Sequence, residues 1–119
     1  MRLCGQQAVW NYEEGNGLLT IQGVGAMEDY TEPEQVPWNA LMQEIKVVVI
    51  RDGITTVGDY AFAGCSNLQE VTLPGSVEIV GVFSFKGCTG LREIVIPEGV
   101  RVLASKAFQF CSALKKVYL

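Results

Sequence analysis

Ile50–Thr72 reads IRDGITTVGDYAFAGCSNLQEVT, Leu73–Val95 reads LPGSVEIVGVFSFKGCTGLREIV, and Ile96–Tyr118 reads IPEGVRVLASKAFQFCSALKKVY. The three segments align without a gap at a period of 23 residues, and Leu119 opens a fourth copy. Three columns are identical: Phe62/Phe85/Phe108, Cys65/Cys88/Cys111 and Leu68/Leu91/Leu114. Ile54/Val77/Val100, Val57/Val80/Leu103 and Val71/Ile94/Val117 stay apolar, whereas Tyr60, Phe83 and Lys106 share a column that changes character. A fixed period of this length means stacked units that bury one shared core, a solenoid.

Within one copy, Leu68, Val71 and Leu73 have the spacing of residues facing the core, and Val71–Leu73 alternates as a strand does. With Leu91/Ile94/Ile96, Leu114/Val117/Leu119 and, 23 residues earlier, Ile45/Val48/Ile50, the pattern predicts four parallel strands, one per rung. Pro74-Gly75-Ser76, Pro97-Glu98-Gly99 and Arg51-Asp52-Gly53 turn the chain out of each strand. Val77 and Val80 form a second inward pair on the far side. Gly81–Cys88 is too short for a full helix, and the expectation there is one helical turn carrying Phe85 and Cys88 inward.

Residues 1–44 fall outside this register, and residues 45–119 hold it. In the front segment, Ala8–Tyr12 and the alternating Leu18–Gln22 read as a hairpin about Glu14-Gly15-Asn16-Gly17. Asp29–Gln35 reads as a surface loop, and Trp38–Gln43 as a short helical stretch behind Pro37. A first rung exposes apolar surface, so the expected role of this segment is a cap, with Trp10, Leu19, Ile21, Met27 and Trp38 against that end. The other reading makes Trp10 and Trp38 an aromatic platform for a sugar. The last rung has no evident cap.

The vocabulary GITTVGDYAFAGCSNLQEVTLP, residues 53–74, resembles the BspA-like leucine-rich repeats of bacterial surface proteins. Cys4-Gly5, Trp10, Gly17–Met27 and Pro37-Trp38 are similar to the module that often precedes such repeats. The resemblance spans nearly the whole chain. It implies a strand-dominated leucine-rich-repeat solenoid with short helical turns, and kinship with adhesins that bind host matrix proteins or other cells. Two features depart from the family pattern. There are three copies where family members usually carry more, and Ala104 and Phe110 stand where Gly58/Gly81 and Gly64/Gly87 stand earlier.

Bulk properties narrow the function classes. The chain has 119 residues, 49% apolar and 18% charged, which suits a single packed domain. Its net charge of −4 argues against nucleic acid, which needs a basic stripe. The charge is uneven: residues 1–45 carry a net of −6 and residues 46–119 a net of +2, so head-to-tail attraction stands beside plain solvation. No apolar run has the length of a membrane span, and Met1-Arg2-Leu3-Cys4 lacks the apolar stretch of a signal peptide. A surface or secreted location, which the resemblance implies, therefore expects a leader outside this sequence.

Chemistry is sparse. With no histidine, a Ser-His-Asp or Cys-His arrangement is excluded. The cysteines are spaced by 23 residues rather than in close pairs, which does not fit a zinc site. In-register stacking keeps their Cβ atoms parallel and about 4.8 Å apart, wider than a disulfide prefers, so reduced thiols packing the turn are expected. Glu70 and Glu93 stack on the strand face, yet an open face offers no pocket, and neither a catalytic residue, a cofactor nor a metal is expected.

What remains is surface. The outward strand positions form the rows Val49/Thr72/Val95/Tyr118, Val47/Glu70/Glu93/Lys116 and Lys46/Gln69/Arg92/Lys115. Val47, Val49, Glu70, Thr72, Arg92, Glu93, Val95, Lys116 and Tyr118 are the candidate binding residues, because solenoids use such faces for ligands. The expected partner is a protein or a glycan, on host matrix or another cell surface. Outward valine also simply favours strand structure, and that reading stands beside the first. The alternative function is a structural spacer or self-assembling fragment, with a homodimer formed through the uncapped last rung.

Overall fold

The computed structural model describes Arg2–Tyr118, and Leu119 of the expected fourth strand lies outside the described residues. The chain is strand-dominated, with ten short strands and two 3-10 turns among these residues. β1 (Ala8–Glu13) and β2 (Leu18–Gly23) form the antiparallel hairpin that the Glu14–Gly17 turn residues favour, with Trp10 opposite Ile21. β2 then pairs in parallel with β4 (Val47–Ile50), the first strand of the repeat register, Leu19 opposite Val48 and Ile21 opposite Ile50. β4 pairs in parallel with β6 (Glu70–Thr72), at the 23-residue offset that the repeat dictates.

A second parallel sheet runs on the far side, where the sequence predicted inward residues but no strands. It consists of β3 (Gly25–Ala26), β5 (Ile54–Val57), β7 (Ile79–Val80) and β9 (Val102–Leu103), in that order. Three of these four strands are two residues long and carry no period of their own, so periodicity does not reveal them.

Two other expectations are corrected. The four repeat strands do not make one continuous ladder. β8 (Glu93–Val95) pairs with β10 (Lys116–Tyr118), but β6 and β8 lie side by side without ladder pairing. The interruption falls where two acids, Glu70 and Glu93, would stand directly opposite, a destabilising pairing. Across the intact β8–β10 pair, Glu93 faces Lys116.

Nor does each copy contain a helical turn. The third side is a chain of tight turns in which alternate amides do different jobs. Ala61, Ala63 and Cys65 N–H groups close local turns on the Gly58, Tyr60 and Phe62 carbonyls. The intervening Tyr60, Phe62 and Gly64 amides donate outward to Val82, Ser84 and Lys86 carbonyls of the next copy. A helix would spend all of these donors internally. Left-handed backbone at Tyr60, Phe83 and Lys106 (φ 62°, 57° and 61°) breaks each potential helix at the same place. In the front segment the helical stretch shrinks to the 3-10 turn Asn39–Leu41, and a second one, Pro33–Gln35, sits inside the expected loop.

The core lies between the three sides. Trp38, Phe62, Phe85 and Phe108 stack in sequence with ring centroids 5.4–5.5 Å apart. Trp38 is fully buried, and its indole Nε1–H donates to the Ala61 carbonyl at 2.9 Å. It is a core residue and not a platform, and Trp10 packs edge-on against it. Met42 stands 23 residues before Cys65 and meets it, Sδ to Sγ 3.9 Å. Leu103 and Val117 sit at inward positions but are 45% and 44% exposed, since no further copy lies over them among the described residues.

Candidate functional site

β4, β6, β8 and β10 present their outward side chains on one face. Val48, Ile50 and Ile94 turn into the core. The alternation of the strand therefore sends Val47 and Val49, Glu70 and Thr72, Glu93 and Val95, and Lys116 and Tyr118 to the other side. Register places Val47 beside Glu70 and Val49 beside Thr72 on one half, and Glu93 beside Lys116 and Val95 beside Tyr118 on the other.

Val47 and Val49 are half-buried, whereas Glu70, Thr72, Arg92, Glu93, Val95, Lys116 and Tyr118 are exposed. Val95 and Tyr118 are the notable members, 60% and 46% exposed, two adjoining apolar side chains on open surface. The predicted rows are thus brought together in two halves. The unpaired seam between β6 and β8 forms a cleft of about 480 Å³ lined by Glu70, Thr72, Arg92, Glu93 and Val95. Five of the nine candidate residues converge there, and the seam itself was not visible in the sequence.

Among the described residues no three Asp, Glu, Cys or His side chains converge as a metal site. The cysteines are free thiols, with Cys4, Cys65 and Cys88 buried and Cys111 half-buried. Cys88 Sγ–H donates to the Phe62 carbonyl at 3.2 Å and Cys111 Sγ–H to the Phe85 carbonyl at 3.0 Å, each reaching back one copy. Burial pushes the Cys65 thiol up to about 12. Burial and then the Glu28 charge do the same for Cys4. Neutral thiols of this kind are poor nucleophiles.

A polar relay on the turn side, missed in the sequence, fixes one copy on the next. The Asp29 carboxylate accepts from the Asp59 amide at 2.9 Å, and the Asp59 carboxylate accepts from the Val82 amide at 2.8 Å. No helix among the described residues is long and apolar enough to cross a membrane.

The repeat geometry agrees with what comparison finds. Residues 40–119 match the family model described as BspA type leucine rich repeat region (6 copies). The chain belongs to the BspA-type leucine-rich repeat family. Its fold is similar to that of a leucine-rich repeat protein from Eubacterium ventriosum, at TM-score 0.56 and 23% identity over 96% of this chain and 42% of that one. A leucine-rich repeat protein from Bacteroides ovatus gives TM-score 0.59 and 20% identity over 97% and 40%. One from T. pallidum gives TM-score 0.54 and 15% identity over 98% and 71%. The chain spans about two fifths of the length of the first two. No curated protein matches the sequence. At these identities the likeness to the solved structures speaks for the leucine-rich-repeat fold alone, and the family match for repeats that generally serve as interaction modules.

Proposed function

We propose that this BspA-type chain is a non-enzymatic interaction module of a bacterial cell-surface or secreted protein, binding a protein or glycan partner across its strand face. The copies stack as a solenoid, residues 45–119, and residues 1–44 cap its first end. The observation that carries the reading is the adjoining pair Val95 and Tyr118, open to solvent and rimmed by Arg92, Glu93 and Lys116. Aromatic and aliphatic anchors within a charged rim are the usual anatomy of a contact surface. Purified chain tested against matrix proteins and surface glycans at physiological salt should give a saturable hit. Val95→Ala and Tyr118→Ala should weaken it at unchanged melting temperature. Undiminished affinity in both variants removes the strand face as the site.

A second reading, a self-assembling spacer, is favoured by exposed Val102, Leu103 and Val117 together with the free edges of β9 and β10. It expects a homodimer through the last copy. Light scattering that finds only monomer at high concentration counts against it.

A further inference from the structure

The turn side carries a groove that the strand-face reading does not use. It encloses about 670 Å³, the size of a small-molecule site. Tyr60 and Phe110 line it with aromatic rings, Met42 and Gly64 line it as well, and Glu32 and Lys86 bring one negative and one positive charge to it. The aromatic side chains are placed there at a cost in backbone strain. Tyr60 and Phe110 both hold left-handed backbone, φ 62° and 63°, a region that disfavours bulky residues. In the Phe110 column the two earlier copies use glycine, Gly64 and Gly87, with φ 86° and 73°. Phe110 obtains little packing in return, being 68% exposed. The Phe83 ring lies 5.1 Å from that of Tyr60, and the Lys86 ammonium sits 5.0 Å from Phe83 and 5.9 Å from Phe110.

We propose that this groove is a binding site for a neutral mono- or disaccharide. A sugar ring has apolar C–H faces and a polar rim. Those faces match the Tyr60 and Phe110 rings, and the rim hydroxyls match the Glu32 carboxylate, the Lys86 ammonium and the Asn39 amide, which also lines the groove. Glu32 and Lys86 cancel in charge, which favours an uncharged ligand over an acidic or a basic one. The site stands independently of the strand face, with which it shares no residue.

The test titrates N,N′-diacetylchitobiose, lactose and maltose into the full chain, read by saturation-transfer NMR and calorimetry. At least one should bind saturably at millimolar concentration. Tyr60→Ala and Phe110→Gly should each weaken it roughly tenfold, the order expected for losing one aromatic stacking face. Tyr118→Ala should change nothing. Phe110→Gly guards against misfolding, because it installs the residue that the other copies carry at that position. Absence of binding by all three sugars overturns the proposal, as does affinity unchanged in Phe110→Gly. Loss of binding in Tyr118→Ala alone moves the sugar to the strand face and likewise overturns it. Capture of a peptide in place of any sugar, dependent on Tyr60 and Phe110, overturns the ligand class.

Discussion

Phe62 and Phe85, equivalent residues of adjoining copies, stack with ring centroids 5.4 Å apart and planes 20° from parallel. Phe85 meets Phe108 on its other face at 5.5 Å and 5°. Its ring is therefore held on both sides and fully buried. Phe85→Ala removes the middle of the stack and leaves a cavity that rigid strands on two sides cannot close. The expected loss is about 3–5 kcal/mol in urea unfolding. A variant as stable as the parent would mean that the rings do not form a continuous core.

Gly87 and Phe110 occupy the same left-handed position in successive copies, and substitutions there should act in opposite directions. A Cβ at Gly87 has room, its nearest neighbour being the Gly64 Cα at 3.9 Å, so the cost of Gly87→Ala is backbone strain alone, about 1 kcal/mol. Phe110→Gly relieves that strain and gives up little buried surface. Its stability should match or exceed the parent's, within about 1 kcal/mol. Paired thermal melts read both, and destabilisation by Phe110→Gly comparable to that by Phe85→Ala would show that the exposed ring is structural.

The contrast between these columns shows what the sequence could and could not reveal. Phe62, Cys65 and Leu68 recur because each must fill the same space inside the fold, so identity of side chain exposed the core. Tyr60, Phe83 and Lys106 share a backbone conformation and not a chemistry, because the left-handed turn constrains φ rather than side-chain type. The spine extends into the front segment through Trp38 and Met42, which replace phenylalanine and cysteine with residues of different shape, so the repeat faded there before the core did. Strand alternation placed Val95 and Tyr118 correctly on one face. The stacking of Glu70 on Glu93 was legible, but the open β6–β8 seam was not, because the repeat period fixes how the copies are spaced and not whether neighbouring strands close their ladder. The turn-side groove draws Glu32, Lys86 and Phe110 from three separate stretches of chain, and no local pattern joins them.

Asp59 links three segments, accepting from the Val82 amide while its own amide is held by Asp29. The Asp59 carbonyl also accepts from the Tyr30 amide at 3.1 Å. Asp59→Ala would leave the half-buried Val82 amide without its charged acceptor, and should cost about 1.5–3 kcal/mol. Asp59→Asn keeps an acceptor oxygen and should recover a substantial part of that loss. Hydrogen exchange at Val82 provides a local reading, with protection falling in the alanine variant and returning in the asparagine variant. Equal protection in all three proteins would remove the relay from the account of how the copies are joined.

The buried thiols make stability depend on alkaline pH, and the sign follows from which form the fold prefers. Cys65 rises from an ordinary value of 9.0 to about 12 because burial penalises the thiolate. Cys4 does so through burial and the Glu28 charge, and Cys88 is also raised, first by the neighbouring Cys111 thiol and then by burial. Between the unfolded and folded values the native chain holds protons that the unfolded chain releases. Their contribution is therefore fully present below about pH 9 and is lost as pH rises through about 12. Cys65 alone should add a slope of about 1.4 kcal/mol per pH unit within that window. Urea unfolding across the alkaline range should show that decline, and Cys65→Ala should make it shallower by about that amount. An unchanged slope would show that the thiol is solvated in the native chain. The same burial orders reactivity: half-buried Cys111 should react first with a thiol reagent at neutral pH, while Cys4, Cys65 and Cys88 wait for unfolding. Under denaturing, non-reducing conditions all four should titrate.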